Sequence, residues 1–177
     1  KPASEKDWNF LEVGELSESR PIQNEHAVDK ARRAQMFKKL KEGRNRSEWF
    51  TGPLVVNAFY SAEDNQFFLP QGILQYPFFD AKQSRVENLG AMGMVTGHEL
   101  GHGVDDQGSK FDSKGVLRTW MTEEDLKAFQ ERGSKLIAQF DKAQHNGKLT
   151  LGENIGDNVG LTFALAAAFP EPEKANI

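Results

Sequence analysis

The chain has 177 residues, of which 38% are hydrophobic and 27% charged, and its formal net charge is −4. These values are typical of a globular domain with a core of its own, and the negative charge argues against a nucleic-acid binder. We expect no membrane-spanning segment, and no signal peptide is visible. Cysteine is absent, which excludes disulfides and thiolate ligands, so a metal ion would have to bind histidine and carboxylate side chains.

The N-terminal part of the chain changes in character at about residue 25. Residues 1–25 are polar and contain proline and glycine, which predicts an irregular segment. Apolar residues then recur with helical spacing over His26–Lys41, and Gly43 is expected to end this helix. Lysine and arginine are frequent between Lys30 and Arg46. The polar face of the helix is a better interpretation of this basic run than a phosphate-binding patch.

A β-hairpin is predicted in the middle of the chain. Leu54–Tyr60 and Gln66–Leu69 are rich in β-branched and aromatic residues, and the polar sequence Ser61–Asn65 separates them. Ile73–Phe79 is apolar around a proline, which is more typical of a loop that lines the core than of a strand.

Two helices are predicted towards the C-terminus. The first should follow Thr122 as N-cap, with Asp125 three residues later as the second half of a weak capping box. Its expected buried stripe consists of Leu126, Phe129, Leu136, Ile137 and Phe140. The second is expected over Leu151–Phe169, where two prolines follow.

The pattern H-E-x-x-H occurs once, at His98, Glu99 and His102. Four residues along an α-helix bring both histidines to the same face, one above the other, where they can bind one metal ion. Glu99 lies about 100° further round the helix, within reach of a water on the metal without being a ligand. This is the arrangement of a zinc hydrolase helix. The alternative is a surface helix whose histidines have no such role.

The helix that carries this motif is predicted to begin near Val86 and to end within residues 103–106. Either Gly103 or Gly108 could end it, because glycine readily adopts the left-handed conformation of a C-terminal cap.

Glycines recur every four residues in this helix and in the last one. They are Gly93, Gly97 and Gly101 in the first and Gly152, Gly156 and Gly160 in the second. Each costs a helix close to 1 kcal/mol relative to alanine, and the close approach of another backbone explains why they are there. We therefore expect the two helices to pack tightly and to bring Glu153 to the metal as its third ligand. Asp157, one turn later, would accept a hydrogen bond from a ligand imidazole.

Other residues near these motifs leave alternatives open. Asp106 lies four residues after His102 and is a candidate to accept a hydrogen bond from its imidazole, with Asp105 as the competing candidate. His145 is the substitute ligand if Glu153 does not reach the metal. The alternative for the helix pair is tight packing with a polar pair at the solvent edge.

Four motifs, in this order, resemble those of the neprilysin-like zinc metallopeptidases, which include endothelin-converting enzyme and bacterial oligoendopeptidase O. They are VNAFY (Val56–Tyr60), LPQGILQYPFF (Leu69–Phe79), VTGHELGHGVDDQG (Val95–Gly108) and LGENIGDNVG (Leu151–Gly160). The resemblance covers roughly residues 50–169. It implies an α+β, mainly helical fold: a zincin (gluzincin) catalytic core with an active-site helix, a second ligand-bearing helix and a short β-hairpin.

The resemblance also implies roles for individual residues. His98, His102 and Glu153 would bind one zinc ion per chain. Glu99 would act as general base, and Asp157 would orient the first ligand histidine. The implied substrate-binding positions are Asn57 and Ala58 for the peptide backbone, and Ile73, Phe78, Met94 and Val95 for a large apolar side chain. The implied function is a zinc-dependent endopeptidase or oligopeptidase that cuts peptides on the amino side of such residues.

The chain departs from this family in length. Relatives have a large helical domain over the cleft and a C-terminal stretch with a histidine that stabilises the transition state. Because the match stops near Phe169, residues 26–177 are predicted to be a partial catalytic domain. The alternative function is a zinc-binding fragment or scaffold that cannot turn over. The lack of cysteine favours a bacterial source, and the habits of the family favour the cell envelope or exterior, with the cytoplasm as the alternative.

Overall fold

The computed structural model describes residues 11–43 and 45–170, and the chain divides into two compact units, Lys1–Phe50 and Thr51–Ile177. The first unit contains helix α1 (Pro21–Glu42), which begins five residues earlier than predicted. Proline suits this first helical position because the N–H that it lacks would be unpaired there. Gly43, with φ of 79°, ends the helix as predicted. Residues 1–10 of the predicted irregular segment lie outside the described residues.

The described part of the second unit contains a two-stranded sheet and four α-helices. These elements are β1 (Phe59–Ser61), β2 (Gln66–Phe68), α2 (Arg85–Asn88), α3 (Met94–Gly101), α4 (Glu123–Lys142) and α5 (Leu151–Ala168). Two 3₁₀ turns, Gln71–Ile73 and Gly108–Lys110, and a π-helical turn, Leu89–Gly93, also occur in the described part. None of the helices within residues 11–43 and 45–170 combines the length and the apolar character needed to cross a membrane.

The predicted hairpin is confirmed. Strands β1 and β2 pair antiparallel, with Tyr60 opposite Phe67. The connecting turn contains Asn65 in the left-handed conformation, with φ of 47°. The Ser61 hydroxyl donates to Asp64 Oδ2 at 2.9 Å, and this side-chain contact closes the turn.

The first strand is shorter than the predicted Leu54–Tyr60, because it begins only at Phe59. The preceding residues are held by a different backbone contact. The N–H of Gly72 donates to the carbonyl of Pro53 at 2.9 Å, and a Cβ at Gly72 would lie 2.5 Å from the Leu54 carbonyl oxygen. This close approach keeps the stretch before Phe59 out of the hairpin.

Helices α2 and α3 form one continuous helix through a π-helical turn, Leu89–Gly93. It begins with a capping box: Ser84 Oγ accepts from the N–H of Glu87, and the Glu87 carboxylate accepts from the N–H of Ser84. In the π turn, the N–H of Met92 donates to the carbonyl of Phe78 at 3.0 Å. The loop that carries Phe78 is therefore tied to the helix that carries the metal motif.

The predicted left-handed cap of this helix is wrong. Left-handed glycines occur elsewhere in the described chain, and neither Gly103 nor Gly108 is among them. Both are glycine for a different reason. A Cβ at Gly103 would lie 3.0 Å from the Tyr60 hydroxyl, and one at Gly108 would collide with the carbonyl oxygen of His102.

Helices α3 and α5 touch through their backbones. A Cβ at Gly97 would lie 2.8 Å from the Cα of Gly160, and a Cβ at Gly101 would lie 2.9 Å from the Cα of Gly156. The close packing predicted from the spacing of the glycines is confirmed at these four positions. Gly93 does not take part, because its nearest neighbour is the Leu89 side chain of the same helix.

The core of the second unit lies beside the start of α3. Its buried members are Ala58, Ile73 and Met92, and Leu69, Phe78 and Val95 pack against them. The stretch Ile73–Phe79 thus lines the core as predicted, through a 3₁₀ turn followed by a loop.

Helix α4 begins after Thr122, as predicted, and the hydroxyl oxygen of this residue accepts from the N–H of Asp125. Its apolar stripe is less buried than predicted: Gly133 is the buried residue of the helix, and Leu126 is 40% exposed. The remaining stripe residues, Phe129, Leu136, Ile137 and Phe140, are partly buried. The reason is that Leu126, Phe129 and Ile137 line an open apolar groove of about 570 Å³, to which Trp120 also contributes.

We predict that Gly160→Ala separates α3 from α5, because the added methyl would lie 2.5 Å from the Met94 carbonyl oxygen. Overpacking against backbone should lower the free energy of unfolding by about 2 kcal/mol or more, as measured by urea denaturation of the metal-free protein. The control is Gly133→Ala in α4, where the methyl would meet the Leu151 side chain at an ordinary 3.6 Å. Equal stabilities of the two variants would contradict the proposed helix contact.

Candidate metal centre

Three side chains from the ends of two packed helices converge on one point. His98 Nε2 and His102 Nε2 lie 3.3 and 3.8 Å from Glu153 Oε2, and the three donor atoms all lie within 4.8 Å of one another. Tetrahedral zinc with bonds of about 2.0–2.1 Å separates its ligand atoms by roughly 3.4 Å. Two imidazole nitrogens and a carboxylate are also the donor types that zinc accepts. This part of the structure therefore fits a zinc ion.

The glycine contacts explain why the carboxylate reaches the imidazoles. A Cβ at Gly156 would lie 2.9 Å from His98 Nδ1, so the imidazole lies directly against the backbone of α5. Glu153 is three residues earlier on the same helix. Its side chain is 69% exposed, whereas those of His98 and His102 are 16% and 19% exposed. The site is therefore open to solvent on the side of the carboxylate.

Each imidazole contacts a carboxylate through its Nδ1 atom. His98 Nδ1 lies 2.8 Å from Asp157 Oδ1, and His102 Nδ1 lies 2.7 Å from Asp105 Oδ2. An ionised carboxylate only accepts hydrogen bonds, so each Nδ1 carries the proton and each Nε2 presents a lone pair. Both histidines are thus oriented as metal ligands.

The hydrogen bond predicted for Asp106 is made by Asp105 instead. Helix α3 ends at Gly101, so the helical spacing that would have brought Asp106 to the face of His102 does not extend that far. The Oδ2 atom of Asp106 accepts from the side-chain amide of Gln107 at 2.7 Å.

Asp105, which orients the imidazole of His102, is itself fixed by hydrogen bonds. The residue is buried, and its Oδ1 accepts from the N–H groups of Gln107 and Gly108 at 2.8 and 2.7 Å. Burial raises the pKa of Asp105, but the hydrogen bonds from His102, Gly108 and Gln107 outweigh it, so this pKa lies below its usual value. The hydrogen bond to Asp105 in turn raises the pKa of His102, against the opposing effect of burial.

Glu99 lies in α3 between the two histidines and is only 6% exposed. Burial raises the pKa of this carboxyl above its usual value; the charges of His102 and His98 lower it, and that of Glu153 adds to the rise. A buried carboxylate with increased proton affinity beside a metal site can accept a proton from a water molecule there.

The residues predicted to bind substrate lie in three places. Ala58, Ile73, Phe78 and Val95 belong to one apolar cluster. Met94 is half-buried at the start of α3, where its carbonyl oxygen faces Gly160. Asn57 is exposed just before β1 and uses its Oδ1 to accept the N–H of Ala58 at 3.0 Å.

Sequence reasoning missed Tyr60. Its hydroxyl donates to Asn65 Oδ1 at 2.8 Å and lies against Gly103, just after the end of helix α3. Burial raises the pKa of Tyr60, and the negative charge of Asp105 adds to the rise.

The sequence did contain a pattern that favours Asp105, the competing candidate, over Asp106. An aspartate with a glycine three residues later favours a turn in which the carboxylate accepts nearby backbone N–H groups.

The chain is similar to solved structures that include a zinc metalloprotease. The chain is 36% identical to PEPO from Lactobacillus rhamnosis, with a TM-score of 0.77 over 82% of this chain and 24% of that one. It is 37% identical to the zinc metalloprotease ZMP1 of Mycobacterium tuberculosis, solved in complex with an inhibitor, with a TM-score of 0.75 over 88% of this chain and 25% of that one.

The sequence itself matches peptidase family M13 over residues 57–175, and the chain belongs to this family. Human (Homo sapiens) neprilysin is 45% identical over 142 residues, which are 76% of this chain and 19% of neprilysin. The neutral endopeptidase of Lactococcus lactis subsp. cremoris is 39% identical over 79% of this chain and 23% of its own length. The chain thus spans about a fifth of these relatives, and the predicted family and zincin fold are confirmed.

We predict a pH-dependent contribution of the His102–Asp105 pair to the stability of the metal-free protein. The pKa of His102 is raised, so its contribution is full below the usual value of 6.5 and is lost as pH rises through the folded-state pKa. The pKa of Asp105 is lowered, so its contribution is full above the usual value of 3.8 and is lost as pH falls through the folded-state pKa. The pair should stabilise most between these values.

The measurement is urea denaturation of wild type and Asp105→Asn in the presence of a chelator. The difference in the free energy of unfolding should be about 1–2 kcal/mol near pH 5.5 and smaller near pH 9. Asp125→Asn, at the start of α4, is the matched control and should give the same difference at both pH values. A pH-independent difference for Asp105→Asn would contradict the prediction.

Proposed function

We propose that this chain carries the zinc-binding core of an endopeptidase, with residues 26–177 as part of its catalytic domain. The observation that supports this most is the convergence of two oriented imidazoles and the Glu153 carboxylate beside the buried Glu99. One zinc ion per chain would bind His98, His102 and Glu153. When bound, zinc would act as a Lewis acid and would lower the pKa of water towards neutrality.

Glu99 is proposed as the general base. It would accept a proton from the attacking water and then pass this proton to the amine that leaves when the peptide bond breaks. Its burial supports this role, because burial raises the pKa of the carboxyl and so increases its affinity for the proton that it would carry. Asp157 and Asp105 would keep the imidazoles in place during the reaction, because each holds an Nδ1–H.

The substrate would lie as an extended peptide beside Asn57 and Ala58. Asn57 is exposed, so its side-chain amide is available to a substrate backbone. The apolar cluster around Ile73 lies next to α3 and would receive the side chain that follows the cut bond, with Phe78, Val95 and the neighbouring Met94 as further contacts. This arrangement supports cleavage on the amino side of large apolar residues. The extracytoplasmic location stays a prediction from the family.

We predict that Glu99→Gln keeps one equivalent of zinc and loses turnover. The amide has nearly the same shape but cannot accept the proton, so kcat/KM should fall by about 10²–10⁴-fold. Zinc is measured by metal analysis after dialysis, and turnover with a quenched fluorescent peptide that has phenylalanine after the cut bond. Glu87→Gln is the control, because Glu87 belongs to the capping box of α2.

Unchanged turnover in Glu99→Gln would remove Glu99 from the mechanism. A wild-type chain with one equivalent of zinc and no turnover would support the scaffold alternative. A wild-type chain without zinc after dialysis would contradict the proposed function.

We also predict that Asn57→Ala raises KM severalfold and changes kcat little, because one substrate hydrogen bond is lost in ground state and transition state alike. Gln71→Ala, another exposed position in this unit, is the control. A fall in kcat at unchanged KM would assign Asn57 a different role. Steady-state kinetics with the same fluorescent peptide decides between these outcomes.

A further inference from the structure

Asp106 has a carboxylate oxygen that the site described above does not use. Its Oδ1 is buried and has no hydrogen-bond partner among the described residues, whereas Oδ2 accepts from Gln107. A buried carboxylate oxygen without a partner is costly, and such atoms call for an explanation.

This oxygen lies against the first turn of α5. A Cβ at Gly152 would be 2.9 Å from Asp106 Oδ1 and 3.0 Å from Asp105 Oδ2. Gly152 is the second residue of α5, and Glu153 is the third. The two neighbouring carboxylates therefore lie directly beside the backbone that carries the proposed third ligand.

The start of α5 is suited to a negative charge. Its N-cap, Thr150, makes no side-chain capping hydrogen bond. The first N–H groups of a helix have no partners within the helix, and the helix dipole places partial positive charge there. The buried oxygen of Asp106 therefore lies at an end of a helix where an anion is stabilised.

We propose that Asp106 is a positioning residue for Glu153. Asp105 is hydrogen-bonded to the imidazole of His102, while Asp106 places its unpartnered oxygen against the turn of α5 from which Glu153 projects. Two consecutive carboxylates thus set the distance between ligands on different helices. A side chain at position 152 would crowd both carboxylates, because its Cβ would lie 2.9 Å from Asp106 Oδ1 and 3.0 Å from Asp105 Oδ2. This inference rests on the proposed zinc site.

Asp106→Asn is the first test, in the full chain. It keeps the size of the side chain and removes its charge. We expect the zinc dissociation constant, measured by chelator competition, to rise about tenfold, in line with the usual effect of residues behind metal ligands. The visible absorption spectrum of the Co²⁺-substituted protein should change as well, because it reports the geometry of the ligands. Asp106→Glu, which restores the charge, should recover part of the affinity.

Gly152→Ala provides a second, independent variant with an intact carboxylate. It should raise the zinc dissociation constant at least as much, since its methyl would displace both oxygens. Asp125→Asn and Gly133→Ala are the matched controls: one removes a carboxylate from the first turn of α4, and the other adds a methyl to a helix that contacts Leu151. Neither should change zinc affinity or the Co²⁺ spectrum.

The outcomes separate this inference from the proposed function. If wild type binds zinc and both Asp106→Asn and Gly152→Ala bind it equally well with unchanged spectra, the positioning role is wrong and the zinc site stands. Loss of stability in the metal-free variants without a change in zinc affinity would also overturn it, in favour of a purely structural role. If wild type binds no zinc, the proposed function fails and this inference fails with it.

Discussion

The contact between the backbones of α3 and α5 is the constraint on which the rest of the site depends. Gly97 faces Gly160 and Gly101 faces Gly156, each without room for a Cβ. Helices in ordinary contact are 8–10 Å apart because side chains lie between them; here glycine removes that layer. A short glutamate on one helix can then reach imidazoles on the other at 3.3 and 3.8 Å. Several residues of low helix propensity are the cost of this geometry.

Four carboxylates surround the two imidazoles, and their surroundings divide their roles. Asp157 and Asp105 are hydrogen-bonded to the Nδ1 atoms of the histidines. Glu153 is largely exposed and faces the Nε2 atoms, whereas Glu99, next to His98 in α3, is buried. The same functional group can therefore orient a ligand, bind a metal or accept a proton. Their combined negative charge is also what a divalent cation would offset, so binding of the ion would relieve repulsion that the folded chain otherwise carries.

The sequence predicted those parts of the site that follow from helical spacing. His98, His102 and the glycines obey the 3.6-residue period, so their shared faces could be read before any coordinates. The sequence could not decide whether Asp105 or Asp106 contacts His102, because this depends on α3 ending at Gly101. Non-local contacts explain the other errors: the approach of Gly72 to Leu54 shortens the first strand, and an open groove leaves the stripe of α4 partly exposed. No local sequence pattern predicts the π-helical turn at Leu89–Gly93.

The unequal exposure of the three donor side chains has a consequence for ion exchange. Glu153 is 69% exposed, while the imidazoles are shielded and fixed by their carboxylates. An ion would therefore leave and return through the solvent side, with rotation of the exposed Glu153 side chain as the main rearrangement. The two imidazoles would keep their orientation throughout and would still offer two of the three donor atoms to the next cation. Loading of the site would then be fast and reversible and would not require the helices to part.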